Sequence, residues 1–139
     1  MALIAITLQV GCEKKQEKFN DVFLDANLTL KNDKEQKLAQ TFQEYWHYRS
    51  VHELKKSYGY ELPAYRYIND FDRYKSQASE YNHDFNTTLV GIAYPYGRDD
   101  VAEVARRYAK DSFTGKYTDK WVYVNGAWYH EFNYSPFPF

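Results

Sequence analysis

The side chains in this sequence that could perform chemistry are few, and their spacing argues against a catalytic or metal centre. Of its four histidines, His47 and His52 are five apart and point in different directions on a continuous helix, and His83 falls in a loop. No His-Glu-x-x-His pattern occurs and the lone Cys12 has no thiol companion, so neither a metal site nor a cofactor is expected. Gly-rich phosphate loops and a nucleophile elbow are missing as well. Among the carboxylates, Asp70 reads as a helix cap, Asp72 as the exposed first turn of a helix, and Asp119 as a sheet-edge partner opposite Phe132. Glu61 and Arg66 are placed to pair across a turn at Pro63, and no residue is assigned a catalytic role. His130 is the best candidate for a functional histidine, because a hairpin sets it beside Trp121 on an aromatic face. What remains is binding: Tyr45, Trp46, Tyr67, Phe71, Tyr94, Tyr123, Trp128 and His130 either line one mostly apolar cavity with hydroxyls at its rim or simply fill the space between helix and sheet. Filling is the favoured reading. An exposed part of this aromatic surface would suit a dimer or partner interface.

The elements that must position these residues are legible from periodicity. Residues 120–132 hold two aromatic and β-branched runs around Asn125-Gly126, a pair suited to the positive φ angles of a type I′ turn. A two-residue loop sets the register, pairing Val124 with Ala127, Tyr123 with Trp128, Val122 with Tyr129, Trp121 with His130 and Lys120 with Glu131. One face is then Trp121, Tyr123, Trp128, His130 and Phe132, which must be covered by the rest of the chain. Upstream, Asn32 or Asp33 caps a helix with the stripe Leu38, Phe42, Tyr45 and Trp46. Arg49, next on that stripe, is expected to snorkel past the helix end, with a place in a polar cavity as the alternative. Ser50 and Glu53 read as a capping box for a short helix that turns Leu54 and Tyr58 inward and stops at Gly59. Pro63 opens another helical piece, and Asn69 or Asp70 caps a helix over 71–81 with the stripe Phe71, Tyr74, Ala78 and Tyr81. Beyond Asn86 the period changes to that of a strand, with Thr88, Val90, Ile92 and Tyr94 on one face. Residues 99–111 have helical propensity but a strand context; a strand is expected, facing Ala102, Val104, Arg106 and Tyr108 one way. A short strand is also expected at 27–30, and the prolines of 134–139 keep that tail extended and out of a sheet centre.

Composition narrows the function classes. The 18 Lys and Arg nearly balance the 19 Asp and Glu, a net charge of -1 that argues against nucleic acid as a partner. Residues 1–11 form a short uncharged apolar run, after which the chain turns abruptly polar at Glu13. Val10-Gly11-Cys12 is similar to the end of a lipobox, which implies a signal segment at 1–11 and a lipidated Cys12 followed by a tether to residue 31. The run departs from that pattern in lacking a preceding basic residue and in carrying Leu8 one position early. A buried N-terminal strand with an inert cysteine is the alternative. Residues 32–139 are expected as one domain.

The order of elements, the stretch Glu61, Pro63, Arg66, Tyr67, and the closing pattern SFTGKYTDKWVYVNGAWYH resemble small bacterial lipoproteins of the nuclear transport factor 2-like superfamily. The resemblance spans roughly residues 33–132 and implies an α+β cone, with N-terminal helices on a curved antiparallel sheet of about four strands, a pocket between helix and sheet, and frequent dimerisation. That superfamily hosts enzymes such as ketosteroid isomerase and scytalone dehydratase as well as binders and scaffolds, so the fold does not decide the function. The expected function is a non-enzymatic, lipid-anchored cell-envelope protein that binds a small apolar ligand or a protein partner. An isomerase or dehydratase, or a purely structural dimerisation module, are the alternatives.

Overall fold

The computed structural model describes residues 19–78 and 84–132. Asn32 starts the longest helix, α1 (Asp33–Ser50), by accepting a 2.9 Å hydrogen bond from the Glu35 amide. The Glu35 side chain in turn accepts from the Lys31 amide, so two otherwise unpaired donors at the helix start are satisfied. The stripe Leu38, Phe42, Tyr45 and Trp46 is buried as its spacing predicts. Three shorter helices follow: α2 (Leu54–Tyr58), α3 (Pro63–Ile68), which begins at the expected proline, and α4 (Phe71–Ala78), capped by Asp70 on the Arg73 amide.

These helices pack on one mixed five-stranded sheet in the order β1 (Val22–Leu24), β2 (Asn86–Ala93), β3 (Val101–Lys110), β4 (Phe113–Val124) and β5 (Ala127–His130). The last four form an antiparallel meander, while β1 adds in parallel along β2. The sheet curls into a half-barrel round α1, an α+β architecture compatible with the expected cone. The closing hairpin has the predicted register in every pair, and positive φ at both Asn125 and Gly126. Lys120 and Glu131 meet at 3.5 Å. Residues 101–110 are a strand, context having prevailed over propensity, and Ala102, Val104, Arg106 and Tyr108 share its inner face.

The core between α1 and the sheet contains Val22, Leu38, Phe42, Tyr45, Trp46, Leu89, Ala102, Val104, Trp121 and Trp128. Each large apolar side chain buried there contributes roughly 1.5–3 kcal/mol. A second cluster of Leu54, Tyr74 and Ala78, joined by Tyr58, Tyr65, Phe71 and Phe132, holds the short helices together.

Several expectations are corrected. Arg49 does not snorkel; it is 5% exposed and its guanidinium donates to the buried Tyr45 hydroxyl one turn back on α1, which accepts in place of water. Ser50 caps nothing in α2. Its hydroxyl donates to the Phe85 carbonyl and accepts from the Phe85 amide, tying the end of α1 to the start of the sheet. On β2 the alternation is interrupted: register slips between Leu89 and Gly91, so Thr87 and Leu89 face the core before Val90, and Ile92 and Tyr94 after it. Thr88 and Val90 therefore do not join the inner face. The early strand lies at Val22–Leu24 rather than at 27–30, where Leu28 and Leu30 pack on the core as irregular chain. Cys12 and the signal segment, most of the tether, Tyr81, His83 and the tail at 134–139 lie outside the described residues.

Candidate functional site

Two buried polar groups of side chains meet beneath the sheet. The first is built on Glu61, fully buried between α2 and α3. Backbone pairing holds it there: Leu62 donates to the His130 carbonyl at 3.0 Å and His130 donates to the Tyr60 carbonyl at 2.8 Å, a short parallel bridge at the edge of β5. The Glu61 carboxylate accepts from the Tyr45 hydroxyl at 2.6 Å and is 2.8 Å from His130 Nδ1. A carboxylate can only accept, so Nδ1 carries the proton and Nε2 is the ring nitrogen left unengaged by Glu61. The Tyr45 hydroxyl accepts in turn from Arg49 Nη1 at 2.6 Å, and its ring stacks on His130 with centroids 4.4 Å apart. Glu61 does not pair with Arg66 through its side chain; Arg66 Nε donates to the Glu61 backbone carbonyl instead.

Burial pushes the Tyr45 phenol well above its ordinary value; Arg49 opposes this and Glu61 adds to it. For Arg49 burial works against the charge, yet Tyr45, Tyr74 and Glu61 together hold it more firmly protonated than an ordinary arginine. The result is a buried cation and a buried anion joined through a neutral phenol.

The second group centres on Asp119. Rather than a sheet-edge partner, it is 8% exposed and faces inward. Its carboxylate accepts from Trp46 Nε1 at 2.9 Å and from Arg106 Nε at 3.0 Å. The Arg106 guanidinium lies 3.8 Å from the Trp46 ring centroid, a cation–π contact made strong by its partial burial.

Both groups border a cleft of about 700 Å³ between the C-terminal end of α1 and the concave face of β3 and β4. Trp46, Phe85, Tyr108, Phe113, Tyr117 and Phe132 supply its apolar walls, and the buried Arg49, Asp119 and His130 with the partly buried Arg106 its polar ones. Phe113 and Tyr117 converge over Gly115, where a Cβ would sit 3.1 Å from Tyr117 Cε2 and 3.3 Å from Phe113 Cε1. Glycine is what lets those two rings lean together.

Of the eight residues expected from the sequence, Trp46 and His130 border this cleft. Tyr45 lies fully buried against His130. Tyr123 and Trp128 close the far end of the sheet, where Trp128 Nε1 donates to the Lys34 carbonyl and the Lys34 ammonium lies 4.4 Å from the Tyr123 ring centroid. Tyr94 donates to Glu35 at the start of α1, and Phe71 packs on Tyr58 in the second cluster. Tyr67 is 93% exposed on α3. The residues missed were Arg49, Glu61, Arg106 and Asp119, together with Phe113 and Tyr117. Arg106 had a usable signal, an arginine on an otherwise apolar strand face; Glu61 had only its place in the apolar stretch Tyr60-Glu61-Leu62-Pro63.

No family model matches the chain and no curated protein matches its sequence, so the reading of this site rests on its geometry.

Proposed function

We propose that this chain is a non-enzymatic, lipid-anchored cell-envelope protein of nuclear transport factor 2-like architecture that binds a small ligand with an apolar, flat body. The observation that carries the binding reading is the aromatic-walled cleft of about 700 Å³, a volume and composition typical of small-molecule sites. The curled sheet round α1 supports the architecture, and the apolar run ending at Cys12 supports the anchor. A thermal-shift screen with bicyclic aromatic compounds tests the binding: ligands should raise the melting temperature of the wild type but not of Phe113→Ala. Phe113 is 55% exposed, so its truncation leaves the fold standing. No shift from any such compound would count against the reading. The anchor is tested separately by fatty-acid labelling in a bacterial host, which Cys12→Ser should abolish.

One observation favours a second reading, acid–base chemistry of the isomerase or dehydratase kind. His130 borders the cleft with its Nδ1 on a buried carboxylate, an arrangement that orients an imidazole as a base. Exchange of α-protons of enolisable ketones in heavy water, followed by NMR, should then require His130. A panel of ketones showing no exchange above a His130→Gln control would remove this reading.

A further inference from the structure

We infer that the ligand of this cleft carries a carboxylate, received by Arg106 and Tyr108 side by side on β3. The inference rests on the reading of the cleft as a small-molecule site and adds to it the chemistry of one end of the ligand. Among the described residues, three buried side-chain polar atoms have no hydrogen-bond partner: Arg106 Nη1, Tyr108 Oη and Trp121 Nε1. Trp121 is fully buried in the core, but Arg106 and Tyr108 both line the cleft. They are two residues apart on one strand, so their side chains leave the same face of the sheet as neighbours. A buried donor without an acceptor is costly, and two of them adjacent in a wall of an open cleft ask for one group that can accept from both.

The chemistry of that group follows from the donors. Arg106 Nη1 belongs to a guanidinium and can only donate; the Tyr108 hydroxyl, in a wall of aromatic rings, has an O–H to give. Hydrogen bonds from a guanidinium to an ionised oxygen are shorter and stronger than those to a neutral one, and a carboxylate offers two oxygens to two donors. The acids already in the cleft are engaged elsewhere: Asp119 accepts from Trp46 Nε1 and Arg106 Nε, and Glu131 is 3.5 Å from Lys120. Arg106 is held over Trp46 at 3.8 Å and by Asp119 through Nε, with the Tyr117 ring centroid 5.0 Å from its guanidinium, so the group is already placed before a ligand arrives. On the exposed side of Tyr108 stand the rings of Phe113 and Tyr117, 55% and 47% exposed, which turn aside for an entering ligand at little loss of packing and then pack against its body. Trp46, Phe85 and Phe132 then face the apolar body of the ligand.

The test is calorimetric titration of the full chain with two probes of one shape, naphthoate and its neutral amide, naphthamide. Naphthoate should bind at least about tenfold more tightly. Arg106→Gln and Tyr108→Phe should each lower the affinity for naphthoate more than that for the amide, narrowing the gap between the two probes. Tyr108→Phe keeps the ring and removes only the hydroxyl, so it tests the assignment even if loss of the Asp119 partner unfolds Arg106→Gln. Equal affinities on the wild type would overturn the carboxylate inference and leave the cleft reading intact. A preference that survives both substitutions would overturn it too, by locating the charge elsewhere. If neither probe binds, the cleft reading falls and the inference with it.

Discussion

Both oxygens of the buried Glu61 carboxylate are engaged, one by Tyr45 and the other by His130, and the charge is balanced by Arg49 on the far side of the Tyr45 hydroxyl. Removing one member strands the other in a medium that solvates it poorly, so Glu61→Ala should cost about 3–5 kcal/mol. Arg49→Met with Glu61→Gln should cost less than the sum of the singles, because the uncompensated charge is removed from both sides. Urea denaturation of the four proteins checks this, and strict additivity would mean that Arg49 and Glu61 do not act as a pair. The pH response belongs to the same residues. Burial holds Tyr45 and Tyr74 protonated above the ordinary phenol value of about 10. Below that pH both states keep the protons and the contribution is whole. Above it the unfolded chain ionises first, and stability falls by up to about 1.4 kcal/mol per pH unit for each tyrosine until the folded forms titrate. The urea midpoint should therefore drop steeply between pH 10 and 11, and less steeply in Tyr74→Phe; a flat profile would show that these phenols are not held back. None of this was legible from spacing. Arg49 fell on the buried stripe of α1 one turn from Tyr45, yet only the arrival of Glu61 behind that hydroxyl decides between water and a buried partner.

At the level of elements, α1 and the β4–β5 hairpin were readable because their signals are local. Asn32 accepts from the Glu35 amide within one turn, and Asn32→Ala should lower stability by about 1 kcal/mol. Asn125-Gly126 sets a register that nothing distant needs to correct. Ser50 shows the opposite case. Its pattern with Glu53 is that of a cap, but its hydroxyl is taken by Phe85, 35 positions on in sequence. Ser50→Ala should thus loosen the junction of α1 with β2, costing about 1–3 kcal/mol in thermal unfolding, whereas Glu53→Ala should be nearly neutral. Were Ser50 a cap of α2, the two would lose similar amounts. The slip at Val90 was likewise invisible, since a period-two pattern carries no mark of where a curled sheet must bend.

Across the whole molecule, α1 shares its core with every strand region, and Phe132 joins the second cluster to the cleft wall. The described part should therefore unfold in one transition, with fluorescence and circular dichroism midpoints coinciding; separate midpoints would mean that the short helices melt alone. Truncating exposed groups should leave that midpoint in place. Tyr67→Ser, at 93% exposure, is expected within about 0.5 kcal/mol of the wild type. No described helix is long and apolar enough to cross a membrane.

By itself the sequence determined the local units: the cap and stripe of α1, the proline start of α3, the hairpin register, and the strand faces of β3 and β5. Each depends on residues within a few positions of one another. The tertiary structure alone decided which of those faces meet and where they fail to close. Glu61 and His130 are 69 positions apart, and Trp46 and Asp119 are 73. Their pairing depends on the curl of the sheet round α1, and so does the cleft between Trp46 and Tyr108. That curl brings together strands far apart in sequence and includes the register slip in β2, and no single segment states it.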